Sequence, residues 1–272
     1  MQGYRGMPIL TQAPSAAIRK KVKIHLVDFL DPSGEYSAAG FRRDAAALIP
    51  KILKKKKTPV IVGGTGLYLR ALLDGLFETP EGEASRDENF RKKMISEQEK
   101  YGDDYLHGKL LAVDPVSAGK IHPHDVRRLV RALEVFYLSG KPMSEQKANR
   151  RGVRDRYHVR IFLLDRERSE LYARIDTRVD AMIGEGLVNE VKRLRRKKMG
   201  LTAGMALGFR EISAYLSGGM TLQAAAELLK KNTRHYAKRQ LSWFRHEKGV
   251  EKIKAGPEDR AKDMAGRIAG LA

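Results

Sequence analysis

The sequence contains no cysteine among its 272 residues, and that excludes disulfide scaffolds, thiol nucleophiles and cysteine-ligated metals together. Aromatic residues are sparse at 7%, with a single tryptophan. No apolar run approaches the ~18–20 residues of a membrane span. The first ten residues include Arg5 but no apolar stretch of signal-peptide length. The phosphate-cradling pattern GxxxxGK[ST] is also missing: the one Gly-Lys followed closely by a serine, at Gly140-Lys141, has Val135 where the first glycine belongs.

Acidic residues are in deficit. Against 33 Asp+Glu stand 53 Lys+Arg, a formal charge of +20. Such an excess predicts a polyanionic partner, because phosphate contacts release counterions and dominate non-specific binding. Hydrophobic residues at 42% are enough to fill a core. The reading is a soluble, intracellular, basic protein.

Three segments have the β-branched, aliphatic character of buried strands: residues 22–28 (VKIHLVD), 59–62 (PVIV) and 158–165 (HVRIFLLD). Between the first two, residues 36–57 read as a helix that Ser37 could cap and whose C-terminus the lysines 54–57 suit. Strand, helix, strand predicts a βαβ unit and a parallel sheet. Residues 79–121 are charged and helical, with breaks at Pro80, Gly82, Gly102, Gly108 and Asp114-Pro115, and read as a small helical insertion. The predicted organisation is a core α/β part over 1–78, the insertion over 79–121, a second core part over 122–254, and a flexible tail over 255–272.

Four stretches could carry chemistry. Gly63-Gly64-Thr65-Gly66 lies between a predicted strand and an amphipathic run, where glycines let a ligand approach the backbone and a helix N-terminus offers unpaired N–H groups; an ordinary tight turn is the alternative. On residues 125–139, Leu129, Leu133 and Phe136 share one face while Arg127, Arg131 and Glu134 take the other, either as a phosphate grip or as a solvated face. Within residues 165–194, Arg178 falls beside an apolar stripe of Leu171, Ile175, Val179 and Met182, with Arg174 on its margin. An anion is expected there, a carboxylate of this chain or a diphosphate or RNA. On residues 233–247, Leu229, Tyr236 and Trp243 repeat every seven residues toward a core. Arg234, Lys238 and Arg245 oppose them, and Gln240 sits beside the aromatic face. His122 and His124 have no third ligand and do not make a metal site.

The phrases MQGYRGM, PVIVGGTGLYLRALLDGL, LDRERSELYARIDTRVDAMIGEGLVNEV, MALGFREI and YAKRQLSWFR occur in that order, and the series resembles the tRNA dimethylallyltransferase (tRNA isopentenyltransferase) family over most of the first 247 residues. The resemblance implies a P-loop-NTPase-like parallel sheet flanked by helices, with a small helical insertion that grips the anticodon stem. It implies transfer of a dimethylallyl group from dimethylallyl diphosphate to the N6 amine of the adenosine 3′ of the anticodon, assisted by Mg2+, in a cytoplasmic and monomeric enzyme. By the same resemblance Gln2, Thr65, Arg91, Arg127, Arg128, Arg131, Lys238, Arg239, Gln240 and Arg245 would contact tRNA and Arg210 the diphosphate, with Arg174 and Arg178 added as diphosphate candidates from their helical position.

Members of the family normally open with a strand and P-loop and then an Asp-Ser-x-Gln motif. This chain begins at the x of that motif, so the first strand, the P-loop and the aspartate expected to act as base are not among its residues. Where the family continues Asp-Ile-Gly-Thr-Ala-Lys-Pro, residues 8–14 read PILTQAP. The expectation is an enzyme whose N-terminus was lost and whose transfer is impaired; the alternative is a non-catalytic tRNA-binding protein derived from it.

Overall fold

The structure is a computed structural model, and it describes residues 1–76, 87–148 and 150–271. From the N-terminus, helix α1 (Ala16–Lys21) is followed by α2 (Ala38–Leu53) and α3 (Gly66–Asp74). A helical group comes next: α4 (Glu88–Tyr101), α5 (Tyr105–Val113), α6 (Pro115–Ala118), α7 (Val126–Ser139) and α8 (Met143–Ala148). Strand β1 (Ile161–Asp165) leads to α9 (Arg168–Gly184), α10 (Leu187–Leu194), α11 (Leu201–Gly204), α12 (Phe209–Leu216) and α13 (Leu222–Arg245). Strand β2 (Val250–Lys254) and α14 (Ala261–Leu271) complete it.

The helix boundaries follow local chemistry. Ser37, Asp87, Asp114, Asp125 and Thr221 each accept a hydrogen bond from the backbone N–H three residues on, satisfying donors that the first turn leaves unpaired. Gly140 ends α7 in the left-handed region at φ 67°. Gly186, at φ 100°, separates α9 from α10, a break that the glycines at 184 and 186 predict. The expected breaks at Pro80 and Gly82 lie outside the described residues.

The chain is an α/β protein with a small parallel sheet. Strands β1 and β2 pair in parallel register from Ile161↔Val250 to Asp165↔Lys254. The other two predicted strands do not form: residues 22–28 and 59–62 are extended or bent. Val22 is 59% exposed, Val60 78% and Val62 91%. A parallel strand needs a neighbour to take its N–H and C=O groups; among the described residues 59–62 show none, and residues 22–28 meet the N-terminal segment only at their end, where Asp28 N donates to Gln2 O at 2.9 Å and Tyr4 bridges Leu30. A β-rich composition does not make a strand without that partner.

Two compact units divide the chain. The first comprises Met1–Tyr36, Ile61–Gly66 and Val159–Ala272. Its core joins Tyr4, Met7 and Leu10 to Val179, Met182, Leu187, Val191, Ile212 and Leu229. Buried Glu190 ties down the N-terminal segment by accepting the N–H groups of Ile9 (3.1 Å) and Leu10 (2.7 Å). Composition suggests a loose tail after Lys254, yet α14 buries Met264 against Ile253 and Ala255. The second unit comprises Ser37–Val60 and Leu67–His158. Its core packs Met94, Leu106 and Leu110 against Leu129, Leu133 and Val135 of α7.

Candidate functional site

In the first unit, the glycine turn and α13 meet. A Cβ on Gly64 would fall 2.1 Å from Gln240 Nε2, and one on Gly66 would fall 2.2 Å from Trp243 Nε1. At either position something must shift to admit a side chain: the flexible Gln240 amide can swing aside from Gly64, whereas the Trp243 ring beside Gly66 is less easily displaced. Gly64 and Gly66 lie directly on Gln240 and Trp243, and exposed Thr65 sits between them.

Helix α13 is held by packing and by paired charges along its first half. Leu229 and Phe244 are buried, whereas Tyr236, expected on the core face, remains 36% exposed. Lys230 Nζ reaches Asp180 at 2.8 Å, and Arg234 Nη1 reaches Asp176 at 2.6 Å, so two cations one turn apart meet two carboxylates one turn apart on α9. Burial works against the Lys230 charge, but the Asp180 and Glu227 carboxylates outweigh it and raise its pKa. Helix α12 is locked to α13 by Glu211, which accepts from Gly208 N (2.9 Å) and Asn232 Nδ2 (2.7 Å).

The second half of α13 is different. Lys238, Arg239 and Arg245 are exposed and make no ion pair among the described residues; Arg239 lies over the Tyr236 ring at 5.7 Å. The candidate diphosphate residue Arg210 is exposed in the first turn of α12, also without an ion pair among the described residues. These are cations in position to meet an external anion.

The remaining candidates fall into place differently. Gln2 donates to Thr11 O (3.3 Å) and Gln12 O (2.9 Å), closing its own loop. Arg174 is bound to Glu170 at 2.8 Å and donates to Pro257 O at 3.2 Å, which answers its need for an anion from within the chain. Arg178 is exposed rather than half-buried, so its position beside the apolar stripe does not oblige it to find an anion within the chain. The apolar stripe of α9 is narrower than the helical wheel implies, with Ile175, Val179 and Met182 buried.

On α7 of the second unit, Glu134 departs most from expectation. Its position opposite the apolar face predicts exposure, but it is 0% exposed. Arg91 grips it with Nε at 2.6 Å and Nη2 at 2.5 Å, Arg131 Nη1 lies at 2.5 Å, and the Asp87 N–H donates at 2.9 Å. Burial pushes the Glu134 carboxyl up, yet Arg91, Arg131 and the Asp87 N–H outweigh it and lower the pKa to about 2. Helix α7 is covered by α4 and α5, so it has more than one buried face. The Arg131-to-Glu134 spacing of three was the available sequence signal. Arg127 remains exposed with no ion pair among the described residues, and Arg128 reaches only Asp125 at 3.5 Å.

Comparisons with known proteins show the family. A family model described as IPP transferase matches residues 2–247. A tRNA dimethylallyltransferase of Desulforudis audaxviator is 42% identical over 274 aligned residues, covering 98% of this chain and 87% of that protein. The crystal structure of a full-length tRNA isopentenylpyrophosphate transferase from Bacillus halodurans is similar with a TM-score of 0.66 at 37% identity, over 99% of this chain and 84% of the other. A eukaryotic dimethylallyltransferase crystallised acting on tRNA gives a TM-score of 0.80 at 28% identity, over 99% of this chain and 70% of the other. The chain belongs to the tRNA dimethylallyltransferase (IPP transferase) family.

Proposed function

We propose that this protein acts in tRNA modification, transferring a dimethylallyl group from dimethylallyl diphosphate to the N6 amine of the adenosine on the 3′ side of the anticodon. The observation that carries the reading is the glycine turn seated on Gln240 and Trp243, on a helix whose second half bears uncommitted cations. Allylic C–O cleavage builds negative charge on the leaving diphosphate, so cations and backbone N–H groups aimed at it lower the barrier. Arg210 is the residue assigned to that anion, with Arg178 second; Arg174 is already held by Glu170.

The adenine must leave its stack, at a cost of roughly a few kcal/mol that pocket contacts offset. Its amine is a weak nucleophile and needs close placement and a hydrogen-bonding base. Thr65 and Gln240 are assigned to the base and the ribose-phosphate beside it, and Lys238, Arg239 and Arg245 to the hairpin backbone. In the second unit, Arg127 and Arg128 are assigned to the anticodon stem, within the insertion and its return. Arg91 and Arg131 would act there only if Glu134 released them. Gln2 would need to leave its loop contacts to read the adenine. A monomeric, cytoplasmic enzyme fits this reading, and no helix among the described residues is long and apolar enough to cross a membrane.

Magnesium, which the family implies, has no matching donor set: among the described residues no group of three or more His, Asp or Glu converges to hold an ion. No step is assigned to it. The exposed cations of α13 would serve hairpin binding with or without transfer, so the second reading is a tRNA-binding protein without catalysis. Single-turnover transfer from labelled dimethylallyl diphosphate to an anticodon stem-loop separates them: transfer supports the enzyme, and hairpin binding with none supports the binder.

A further inference from the structure

Residues 192–198 read KRLRRKK: six cations in seven positions, with no acid among them. They occupy the last turn of α10 and the tight turns that follow it, where Arg196 N donates to Arg193 O and Lys197 N to Leu194 O. This is not a solvated tail. Val191 and Leu194 are buried on one side, and beyond the run Gly200 N donates to Pro32 O at 2.8 Å. A Cβ on Gly200 would meet Ser33 O at 2.9 Å, so the backbone after the run is pressed firmly into place.

Few of these charges are answered within the chain. Arg195 Nη2 donates to Ser217 Oγ at 2.7 Å. The Asp31 carboxyl is held below its ordinary range first by the Ser33 hydroxyl and N–H and then by Lys197 and Arg5. Lys192, Arg193, Arg196 and Lys198 are exposed and make no ion pair among the described residues. The negative end of α10 offsets part of their mutual repulsion, but that effect fades within one turn. A fixed row of like charges costs stability in the free protein and is relieved by a polyanion.

Its position separates it from the site on α13. Helix α10 packs on α9 and α12, and those two helices pack in turn on α13. With helix diameters of about 10 Å, a single diphosphate does not span that separation, whereas an extended sugar–phosphate backbone does. We propose that the 192–198 turn is a second RNA-docking surface, which takes the sugar–phosphate backbone of the tRNA outside the anticodon hairpin. The inference rests on the tRNA reading above and extends it to a face that reading does not use.

The test is the salt dependence of binding by the full chain, measured with an intact tRNA and with its isolated anticodon stem-loop. The variant carries Lys192→Gln, Arg193→Gln, Arg196→Gln and Lys198→Gln; Arg195 and Lys197 are left because they have internal neighbours. For intact tRNA the plot of log affinity against log salt should flatten by about 2–4, at roughly 0.7–0.9 for each phosphate no longer neutralised. The stem-loop plot should not change, and the melting temperature should not fall. An unchanged slope for intact tRNA overturns the proposal. Equal flattening for the stem-loop also overturns it, by placing the turn against the hairpin. Should the fourfold variant melt early, the pairs Arg193→Gln/Arg196→Gln and Lys192→Gln/Lys198→Gln carry the same test, each with about half the flattening. Stem-loop binding by the unaltered chain checks the underlying tRNA reading separately.

Discussion

Helices α7 and α13 carry cations at the same helical spacing, and the fold uses them in opposite ways. On α7, Arg131 joins Arg91 in neutralising a carboxylate that is fully buried. On α13, Lys230 and Arg234 are paired with α9, but Lys238, Arg239 and Arg245 face solvent. The difference is the company each helix keeps: α7 lies among α4 and α5 and has an acid at its centre, whereas Lys238, Arg239 and Arg245 of α13 make no ion pair among the described residues. A row of arginines thus marks an anion without saying whose anion it is.

The largest effect expected from this contrast is on stability. Glu134→Ala strands two arginines and the Asp87 N–H, and should cost about 3 kcal/mol in urea unfolding, the low end for a broken buried pair because both arginines can reach water. Lys238, Arg239 and Arg245 changed together to Gln should shift unfolding by no more than about 0.5 kcal/mol while weakening stem-loop binding and flattening its salt dependence. If the triple variant unfolds early and the Glu134 variant does not, the two helices have been assigned the wrong way round.

Acid sharpens the same comparison. The Glu134 pKa, about 2 against an ordinary 4.5, is depressed in the folded state. Its contribution is therefore complete above about pH 5 and is lost as the pH falls toward 2, an effect on the order of 3 kcal/mol. The unfolding free energies of the parent and of Glu134→Gln should differ most near neutrality and converge toward pH 2. A constant gap across that range would mean that the carboxylate charge is not what holds α7.

Gly66→Ala should cost about 1–3 kcal/mol, because the new methyl group meets the Trp243 ring and the turn must lift off α13. Its effect on stem-loop binding should be greater than that of Gly63→Ala, where nothing lies within 4 Å. Arg234→Gln should cost about 1 kcal/mol or less for a partly exposed pair and, unlike the triple variant, leave the salt dependence of RNA binding unchanged.

Much of the helical architecture is legible in the sequence. Ser37 caps α2, Asp125 opens α7 and Gly186 interrupts the α9–α10 run, because caps and glycine turns are decided by neighbours in the chain. Residues 22–28 and 59–62 are misread for the opposite reason: strand formation depends on a partner remote in sequence, and their β-branched side chains are partly or largely exposed without one. Glu134 escapes the helical wheel because a wheel assumes one buried face and α7 has more. The closeness of the glycine turn to Gln240 and Trp243 has no local sign either, though the glycines themselves announce that something approaches.

The central claim is that the glycine turn and the second half of α13 together receive the target nucleotide. An anticodon stem-loop with a photoreactive base at the target adenosine tests it most directly, by mapping the cross-linked peptides. The account predicts adducts within residues 63–66 and 238–245. Adducts confined to the α4–α7 group, or none despite binding, would contradict it.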